Sequence, residues 1–548
     1  MKRAPFLAAA LLALPSGAAA QVNAIQGLDI ALGDLDEIEA VGRTGAFPNG
    51  LNGIAMETTI CNFGNLTVPW QQAMDPDHPF IAFLITREKD GRMEQISNLS
   101  MVKHGFFATM GSLCSSCQGG DPFGGSFLGL GCSDTYTVQN NSDNFWLGPS
   151  EEIDPWLGLW DPVCSFFDLG LNPSDPPNCN GQRSFSQGQA GSLGPVGNRV
   201  KVFDADLDPT GGALFYYQGH YILEHEPEAD RGNNLGSRRF NVQWNGSKFN
   251  FNPQGPLLLG SVLQQWSGAT VSSEKNGNDD GRFYVAVSVT GPTDGLYHYE
   301  YAIHNRDNSR GGGAFRIPIC PGANVMNPFF KDVDLDGTND WSFSVTGNEI
   351  VFSNGGDPQP WNSIFNFAFD SDAGPADSMV TIDQFGPGPG AASIAMASTA
   401  PVELFNKDLG PGCSNGNPPN LFATGTPPHA IVGNTTFGME SQGNDDGGLV
   451  LLLVSGLDGT TTLAPGCDFY MGGTLGAQIL LLDSQTADSG GVASFATPVP
   501  TNFNLVGKHV NMQAASLRGS GGPFLGLFDL TNGLRVEILG PNPVPFCP

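Results

Sequence analysis

The sequence predicts an all-β protein with a large N-terminal β-sandwich region, which has room for two subdomains, and a C-terminal β-sandwich. Short runs of β-branched and aromatic residues recur along the chain, and Gly, Asn, Asp and Pro separate them. The apolar residues show almost no helical periodicity. The 548 residues include 74 Gly and 41 Pro while hydrophobic residues still reach 40%, so the chain is rich in turns but can form a core.

The strand candidates are short apolar or aromatic segments that end at turn residues. They are residues 80–87, 215–226, 283–290, 296–305, 341–345, 364–369, 449–455 and 477–482. The acidic segment 33–41 is expected to form a helical turn.

Residues 1–20 have the features of a secretory signal peptide. Lys2 and Arg3 precede an apolar run over residues 5–14, and three Ala residues at 18–20 suit cleavage. We therefore expect the mature chain to begin at Gln21. No later apolar stretch reaches the roughly 18–20 residues of a membrane span. The sequence thus predicts a protein that is secreted, extracellular or held at the cell surface.

A change in composition at residues 410–420 predicts a domain boundary, because this stretch is rich in Gly, Pro and Asn and all eight Trp residues precede it. Cys413 and Cys547 lie near the two ends of the segment that follows, and a bridge between them would tie those ends together. The predicted organisation is a signal peptide at 1–20, N-terminal β domains at 21–409 and a C-terminal β-sandwich at 410–548.

The charge of the chain limits its partners. The formal net charge is −30 at pH 7. Phosphate binding needs a basic surface, so nucleic acid is excluded as a partner. Adsorption to anionic lipid is disfavoured for the same reason.

The ten cysteines are an even number, which indicates disulfides in an oxidising compartment. Cys114 and Cys117 are also spaced like zinc ligands. Together with Cys61 and Cys132 they offer zinc binding as the alternative.

The sharpest motif is an acidic run that matches the ligand spacing of a calcium loop. Asp332, Asp334 and Asp336 occupy positions 1, 3 and 5. Gly337 and Asp340 follow at positions 6 and 9. Position 12 lacks the Glu of a helical EF-hand, and the flanks have strand character. We therefore expect a calcium loop within a β-protein, with a solvated acidic turn as the alternative.

A second acidic run repeats the alternation at Asp204, Asp206 and Asp208 and is a second calcium candidate. It departs from the loop pattern because Pro209 stands where Gly is required. Without an ion, repulsion should leave these like charges in solvent.

Strand parity predicts a third constellation. His298, Glu300 and His304 share one face of a strand candidate, and His220 and Glu224 share a face of another. Neighbouring strands could assemble these residues into a His/Glu site for a transition metal. The alternative is a sheet with an aromatic core face and a polar face in solvent.

Two further clusters raise the question of catalysis. Acids at 151, 152, 154 and 161 surround Trp156 and Trp160, and carboxylate pairs with Trp surfaces are typical of glycan hydrolysis. The alternative is a loop anchored by Trp. Lys103 and His104 place a base beside a charge, with a structural histidine as the alternative.

Several stretches of the chain resemble a group of uncharacterised secreted proteins of planctomycete-type bacteria. The resemblance covers roughly residues 61–401, and the C-terminal domain is similar to a module found at the ends of secreted proteins from such bacteria. It implies export and a shared fold, and it implies no catalytic residue. The stretches that carry the resemblance include Cys61-Asn-Phe-Gly-Asn, Asp90-Gly-Arg-Met-Glu-Gln-Ile, Val102-Lys-His-Gly-Phe-Phe, Leu130-Gly-Cys-Ser-Asp, Asp204-Ala-Asp-Leu-Asp-Pro, His298-Tyr-Glu-Tyr-Ala-Ile-His-Asn, Asp336-Gly-Thr-Asn-Asp-Trp and Phe365-Asn-Phe-Ala-Phe-Asp.

Two classes of function follow from these features. The favoured hypothesis is a secreted, calcium-stabilised, non-catalytic β-protein that binds or builds extracellular or cell-surface material such as glycan or surface matrix. The alternative is a secreted enzyme, either a glycan hydrolase or a His/Glu-liganded metalloenzyme. Convergence of two carboxylates or three His/Glu side chains in a pocket would favour the enzyme.

Overall fold

The computed structural model describes residues 27–541 except 73, 100, 120, 122–124, 278–280, 294–295, 404–405 and 427. The predicted signal peptide, the expected start at Gln21 and Cys547 lie outside the described residues. The described strands form three units, named here the first, second and third units in chain order.

The first unit contains the strands β1 (Ile30–Asp34), β2 (Ile38–Thr44), β3 (Leu51–Met56), β4 (Thr58–Asn62), β5 (Val68–Pro69), β6 (Phe80–Lys89), β7 (Arg92–Gln95), β8 (Val102–His104), β9 (Phe127–Leu128), β10 (Ser133–Tyr136), β11 (Leu147–Gly148), β12 (Ile153–Asp154), β13 (Leu159–Trp160), β14 (Val200–Phe203), β15 (Leu214–Ile222), β16 (Leu235–Trp244) and β17 (Phe249–Leu259). Its largest sheet has the order β11-β8-β6-β15-β16-β17, with β7 paired to β6. The sheets β1-β4-β10 and β14-β3-β2 complete the layers around its core.

The second unit is a sandwich of two antiparallel sheets, with the orders β18-β19-β20-β25-β22 and β23-β24-β21-β26-β27. Its strands are β18 (Thr270–Lys275), β19 (Arg282–Thr293), β20 (Leu296–Asn305), β21 (Gly312–Pro318), β22 (Val325–Lys331), β23 (Ser342–Thr346), β24 (Glu349–Ser353), β25 (Ser363–Ser371), β26 (Gly374–Gln384) and β27 (Ser393–Glu403). Buried aromatic residues such as Tyr299, Phe315 and Phe367 fill the space between the sheets.

The third unit is a smaller sandwich, in which the sheet β28-β38-β36-β31-β34 faces the sheet β29-β30-β35. Its strands are β28 (Asn406–Gly410), β29 (Asn420–Thr424), β30 (Gly438–Gln442), β31 (Leu449–Ser455), β32 (Thr461–Ala464), β33 (Cys467–Phe469), β34 (Leu480–Thr486), β35 (Ala493–Ala496), β36 (His509–Leu517), β37 (Phe528–Leu530) and β38 (Gly533–Glu537). The all-β prediction, with a large N-terminal region and a C-terminal sandwich, is confirmed.

The described helices are short and serve as connections. The α-helices are α1 (Val138–Asn141), α2 (Phe166–Leu169) and α3 (Gln187–Ser192), and the 3₁₀ turns are Asn144–Trp146, Ser150–Glu152, Asp204–Leu207, Thr210–Gly212, Arg231–Asn233, Val262–Gln265 and Phe503–Leu505. Thr137, Ser165 and Ser186 cap the three α-helices through their side-chain oxygens. Among the described residues, no helix is long and apolar enough to cross a membrane.

The first and second units are joined by buried polar contacts as well as by apolar packing. The side chains of Asn362 and Asn366 donate to the carbonyl oxygens of Phe83 and Met93, at 3.0 and 2.8 Å. The side-chain oxygen of Gln95 accepts from the backbone of the second unit at 2.9 Å. Apolar residues of both units, with the 3₁₀ turn at Val262–Gln265, surround these bonds.

This junction changes one prediction about β20. Tyr299, Tyr301 and Ile303 lie in the core of the second unit, as the aromatic-face prediction requires. The alternative of a polar face in solvent is wrong for Glu300 and His304, which are buried on the opposite face, although His298 on that face is exposed. The sheet is covered on both faces because the first unit packs against it.

The predicted helical turn at residues 33–41 is also wrong. This segment forms the end of β1, a short connection and the start of β2. Ile38 is buried while Glu39 is exposed, so the apolar and acidic residues alternate between core and solvent.

The disulfide prediction is confirmed, because no described cysteine is free. The disulfides include Cys61–Cys114, Cys117–Cys132, Cys164–Cys179 and Cys413–Cys467. The zinc alternative is therefore wrong, since its four cysteines are consumed in two disulfides. The suggested bridge from Cys413 to Cys547 is wrong as well, because β33 brings Cys467 to Cys413 within one apolar cluster.

Candidate functional site

The acidic loop lies between β22 and β23 and curls through hydrogen bonds of its own aspartates. The Asp332 carboxylate accepts from the amide of Asp334 at 3.0 Å, and the Asp334 carboxylate accepts from the amide of Asp336 at 2.6 Å. The Asp336 carboxylate accepts from the amide of Thr338 at 3.1 Å. Each bond closes a turn from an Asp side chain to the backbone two residues later, so the alternating Asp pattern produces the curl.

The curl brings carboxylates together with one acid from another strand end. Asp332, Asp334 and Asp357 each place a carboxylate oxygen within 4.8 Å of the other two. Asp357 follows β24, which pairs antiparallel with β23 so that Ser342 lies opposite Ser353. The segment before β23 and the segment after β24 therefore meet at the same end of this hairpin. These three residues are named the acid triad.

The electrostatics of the acid triad favour a bound cation. Asp332 is only 6% exposed, and its Oδ2 atom has no hydrogen-bond partner among the described residues. Burial raises the pKa of Asp332 to about 6, and the charges of Asp334, Asp340 and Asp357 add to the effect. Burial also raises the pKa of Asp357, together with the charge of Asp334. A cation at this point would compensate the repulsion and occupy the unpaired oxygen.

The donor set is suited to calcium. Carboxylate and amide oxygens are the ligands that calcium prefers, at about six to eight per ion. Besides the acid triad, the loop offers the buried Oδ1 atom of Asn339, which has no partner in the described part of the chain. The amide nitrogen of the same side chain donates to Asp334 at 3.2 Å. Such a site would hold the loop and the β23–β24 hairpin together.

The other two predicted ligands of this loop have different surroundings. One oxygen of Asp336 is held by both the amide and the hydroxyl of Thr338, and these bonds lower its pKa. Asp340 lies near enough to raise the pKa of Asp332 but is not a member of the acid triad. The spacing identified two of the three converging acids and missed Asp357, whose position depends on strand pairing.

The second acidic run does not converge. Asp204 is buried and contacts Arg43, the amide of Gly50 at 2.8 Å and the side chain of Asn52 at 2.8 Å. Asp206 faces Arg87 instead, at 3.6 Å.

Asp208 accepts from the hydroxyl of Thr210 at 2.6 Å. The residues Asp204–Leu207 form a 3₁₀ turn, in which side chains two positions apart point in different directions. The expectation that these acids lie in solvent is wrong for Asp204, which an arginine compensates inside the protein.

The residues of the predicted His/Glu site are distributed over separate places. His298 and Glu300 are neighbours: His298 contacts Asp370 at 2.7 Å and Glu300 at 3.2 Å. Arg92 donates to both oxygens of Glu300, at 2.5 and 2.8 Å. Glu224 is paired with His225 at 3.0 Å. Among the described residues, only the acid triad brings three possible ligand atoms this close.

His220 and His304 are buried at the junction of the first and second units. Burial lowers the pKa of each to about 3, and the nearby charge of Arg306 contributes. His304 contacts the hydroxyl of Ser261 at 2.8 Å. The positive charge of Arg306 opposes a metal cation at this place, so these surroundings fit a structural role.

The two catalytic candidates are part of the packing. Trp156 and Trp160 are buried, and Glu152 accepts from the backbone of Phe166 at 2.7 Å and from Trp160 at 3.4 Å. These contacts fit the alternative of a loop anchored by Trp, because neither Trp156 nor Trp160 has a face open to a sugar.

Lys103 and His104 are also inside the protein. The ammonium of Lys103 lies 4.5 Å from the ring of Phe106, and His104 contacts His78 at 2.9 Å. Burial lowers the pKa of both Lys103 and His104 well below the usual values. The structural alternative fits this aromatic environment.

No family model and no curated protein matches the chain. Similar solved structures include the major pilin subunit of Bacillus cereus, which is 8% identical over 61% of this chain and 88% of that chain, with a TM-score of 0.18. A bacterial ice-binding adhesin is 9% identical over 94% of this chain and 98% of that chain, with a TM-score of 0.14. These scores carry no argument about fold or function. The resemblance to secreted planctomycete-type proteins remains a prediction.

Proposed function

We propose that this chain is an exported β-protein that binds calcium at the acid triad and that binds or builds extracellular or cell-surface material such as glycan or surface matrix, without catalysing a reaction. The observation that carries the calcium proposal is the buried, unpaired Oδ2 atom of Asp332 among two further carboxylates. A buried carboxylate without a partner is costly, and a cation supplies the missing interaction.

Export is supported by the cysteines. The described cysteines are all bonded, and structural disulfides persist in oxidising compartments. An acidic chain with net charge −30 would also remain dispersed outside the cell.

The role of calcium in this proposal is to stabilise the fold. An ion bound only by the folded state adds about 2.7 kcal/mol of stability at a free concentration 100 times its dissociation constant. The direct test is a thermal melting scan of the mature chain in chelator and in millimolar calcium at matched ionic strength. We expect a higher melting temperature in calcium and a smaller effect of magnesium, which demands tight octahedral geometry.

Variants locate the effect. Asp334→Ala should abolish the calcium-dependent shift, whereas Asp377→Ala, which removes an exposed acid from β26, should keep it. Identical wild-type curves in chelator and in calcium would reduce the loop to a solvated acidic turn.

One observation favours the alternative of a secreted glycan hydrolase. Asp372 and Asp408 line a cleft of about 380 Å³ between the second and third units, and Tyr297 and Asn406 lie beside them. Burial raises the pKa of both acids, as the general acid of a hydrolase requires. The test is release of reducing ends from a panel of polysaccharides. Release that Asp372→Asn abolishes would establish the hydrolase.

A further inference from the structure

A cleft of about 520 Å³ opens directly beside the acidic loop. Its lining includes Asp332, Asp334 and Leu335 of that loop, and the first unit contributes Lys201 and Phe203. Binding pockets for small molecules measure about 300–1,000 Å³. The candidate ion site and a space of ligand size therefore share residues. This space is named the loop cleft.

Apolar side chains are exposed around the loop cleft. Leu335 is 83% exposed, Leu99 is 40% exposed and Phe203 is 39% exposed. Single exposed apolar residues are common, but a group at the rim of a cleft is typical of a ligand surface. Phe203 offers an aromatic face on which the apolar face of a sugar ring can pack.

Some charged groups of the loop cleft already have ion-pair partners, and one does not. The ammonium of Lys331 contacts Glu94 at 2.6 Å, and Asp206 faces Arg87 at 3.6 Å. The ammonium of Lys201 has no partner in the part of the chain that the structure describes, although its backbone amide is fixed by Asn98 at 2.9 Å. Lys201 is therefore the cation that is available to a ligand in this cleft.

An ion at the acid triad would lie at the edge of the loop cleft, because two of the three acids line it. Three carboxylates provide three to six oxygens, while calcium takes about six to eight. Asp332 and Asp334 both line the cleft, and Asp334 is exposed. Oxygens of a ligand in the cleft can complete the coordination. Without the ion, the carboxylates of Asp332 and Asp334 would repel an anionic ligand.

We propose that the loop cleft binds an acidic saccharide, namely a glycan that contains uronic acid, and that it does so only with calcium at the acid triad. This inference rests on the proposed calcium site. The uronate carboxylate pairs with Lys201, hydroxyl or carboxylate oxygens coordinate the ion, and the ring packs on Phe203. Neutral saccharides lack the charge that Lys201 and the ion recognise, so they bind more weakly.

The test is calorimetric titration of the mature full-length chain with a tetramer of galacturonic acid. Free calcium is held constant by a calcium buffer, because the uronate itself binds calcium. We expect saturable binding in calcium, at least ten-fold weaker binding in chelator, and at least ten-fold weaker binding of a neutral glucose tetramer. Equal binding in chelator, or equal binding of the neutral tetramer, would overturn the proposal.

Variants of the cleft residues that belong to the first unit test saccharide binding separately from calcium binding. Lys201→Met and Phe203→Ala should keep the calcium-dependent melting shift and weaken tetramer binding at least ten-fold. Lys407→Met and Phe503→Ala, which remove a similar charge and a similar exposed ring from the third unit, should leave binding unchanged. If calcium does not raise the melting temperature of the wild-type chain, the calcium proposal is wrong. If calcium raises the melting temperature of the wild-type chain but the chain does not bind the galacturonic acid tetramer, only the cleft proposal is wrong.

Discussion

The segment from Asp204 to Asp208 and the loop from Asp332 to Asp336 both carry Asp at every second position, but their carboxylates have different partners. Asp204 is compensated inside the protein by Arg43 and by backbone and amide donors. Asp332 is similarly buried, yet one of its oxygens has no partner within the described ranges, and two more acids face it. The same alternation therefore leads to a completed ion pair in a 3₁₀ turn and to a cluster of neighbouring carboxylates in a curled loop.

The largest difference between the two segments should appear when Asp204 is replaced by Ala. The change leaves the Arg43 guanidinium without its buried acceptor and removes two further hydrogen bonds. Breaking a buried pair from one side costs about 3–5 kcal/mol. Denaturant unfolding in chelator and in calcium should show the same loss. Asp208→Ala, at the outer end of the same run, should lower the stability far less. If the loss caused by Asp204→Ala depends on calcium, the two segments do not differ in the way described.

The second prediction compares Asp357 with Asp336. Asp357→Ala should remove the calcium-dependent gain, which is about 2.7 kcal/mol at 100 times the dissociation constant. Asp336→Ala should keep most of it, because the Asp336 carboxylate is held by Thr338. Melting scans with and without calcium measure both. If Asp336→Ala is the more damaging change, the linear spacing describes the site better than the acid triad does.

The third prediction is that removing one acid of the triad stabilises the protein when calcium is absent. In chelator, Asp334→Asn should raise stability by about 1 kcal/mol, the interaction of two unit charges near 4 Å in water, because it relieves repulsion with Asp332 and Asp357. Asp206→Asn should not do so, since Asp206 faces Arg87. Denaturant midpoints in chelator at low salt give the comparison. A destabilised Asp334→Asn protein would mean that repulsion is not the dominant interaction there.

The smallest predicted effect concerns Glu300 and Asp370, two acids whose charges are compensated by the titratable side chain of His298. Hydrogen bonds with Glu300 and Asp370 raise the pKa of His298 above its usual value of about 6.5. The stabilisation is therefore complete below about pH 6.5 and is lost as the pH rises through the folded-state value. Glu300 is buried, but His298 is about half exposed to solvent, so we expect a contribution of about 0.2–1 kcal/mol. His298→Gln should flatten this part of the pH profile of the melting temperature, whereas His225→Gln should preserve it.

The strands were predictable where one side-chain pattern dominates. The candidate 449–455 coincides with β31, and 296–305 coincides with β20, because their apolar residues follow the patterns of buried strands. The acidic segment 33–41 was predicted wrongly as a helical turn. Asp34 ends β1, Glu39 belongs to β2, and the acids between them lie in the short connection. Burial of the second face of β20 was not predictable, since it depends on how two units pack.

The candidate site was predictable only in its local part. Asp332 and Asp334 follow from the spacing of a calcium loop, which a short curl can satisfy. Asp357 lies beyond a hairpin, and its position depends on the register that places Ser342 opposite Ser353. A search for acids just before one hairpin strand and just after the other would have found it. The convergence of Lys201 on the same cleft depends on packing between units and has no signal in the sequence.

The amide side chains of Asn362, Asn366 and Gln95 have a consequence for dissecting the molecule. Each binds a backbone group across the junction of the first and second units, so neither unit is complete as an isolated fragment. A fragment that ends near residue 265 would leave the junction face uncovered and should aggregate. A fragment covering residues 27–403 keeps every one of these bonds. It should unfold in a single cooperative step and resist proteolytic cleavage between the two units.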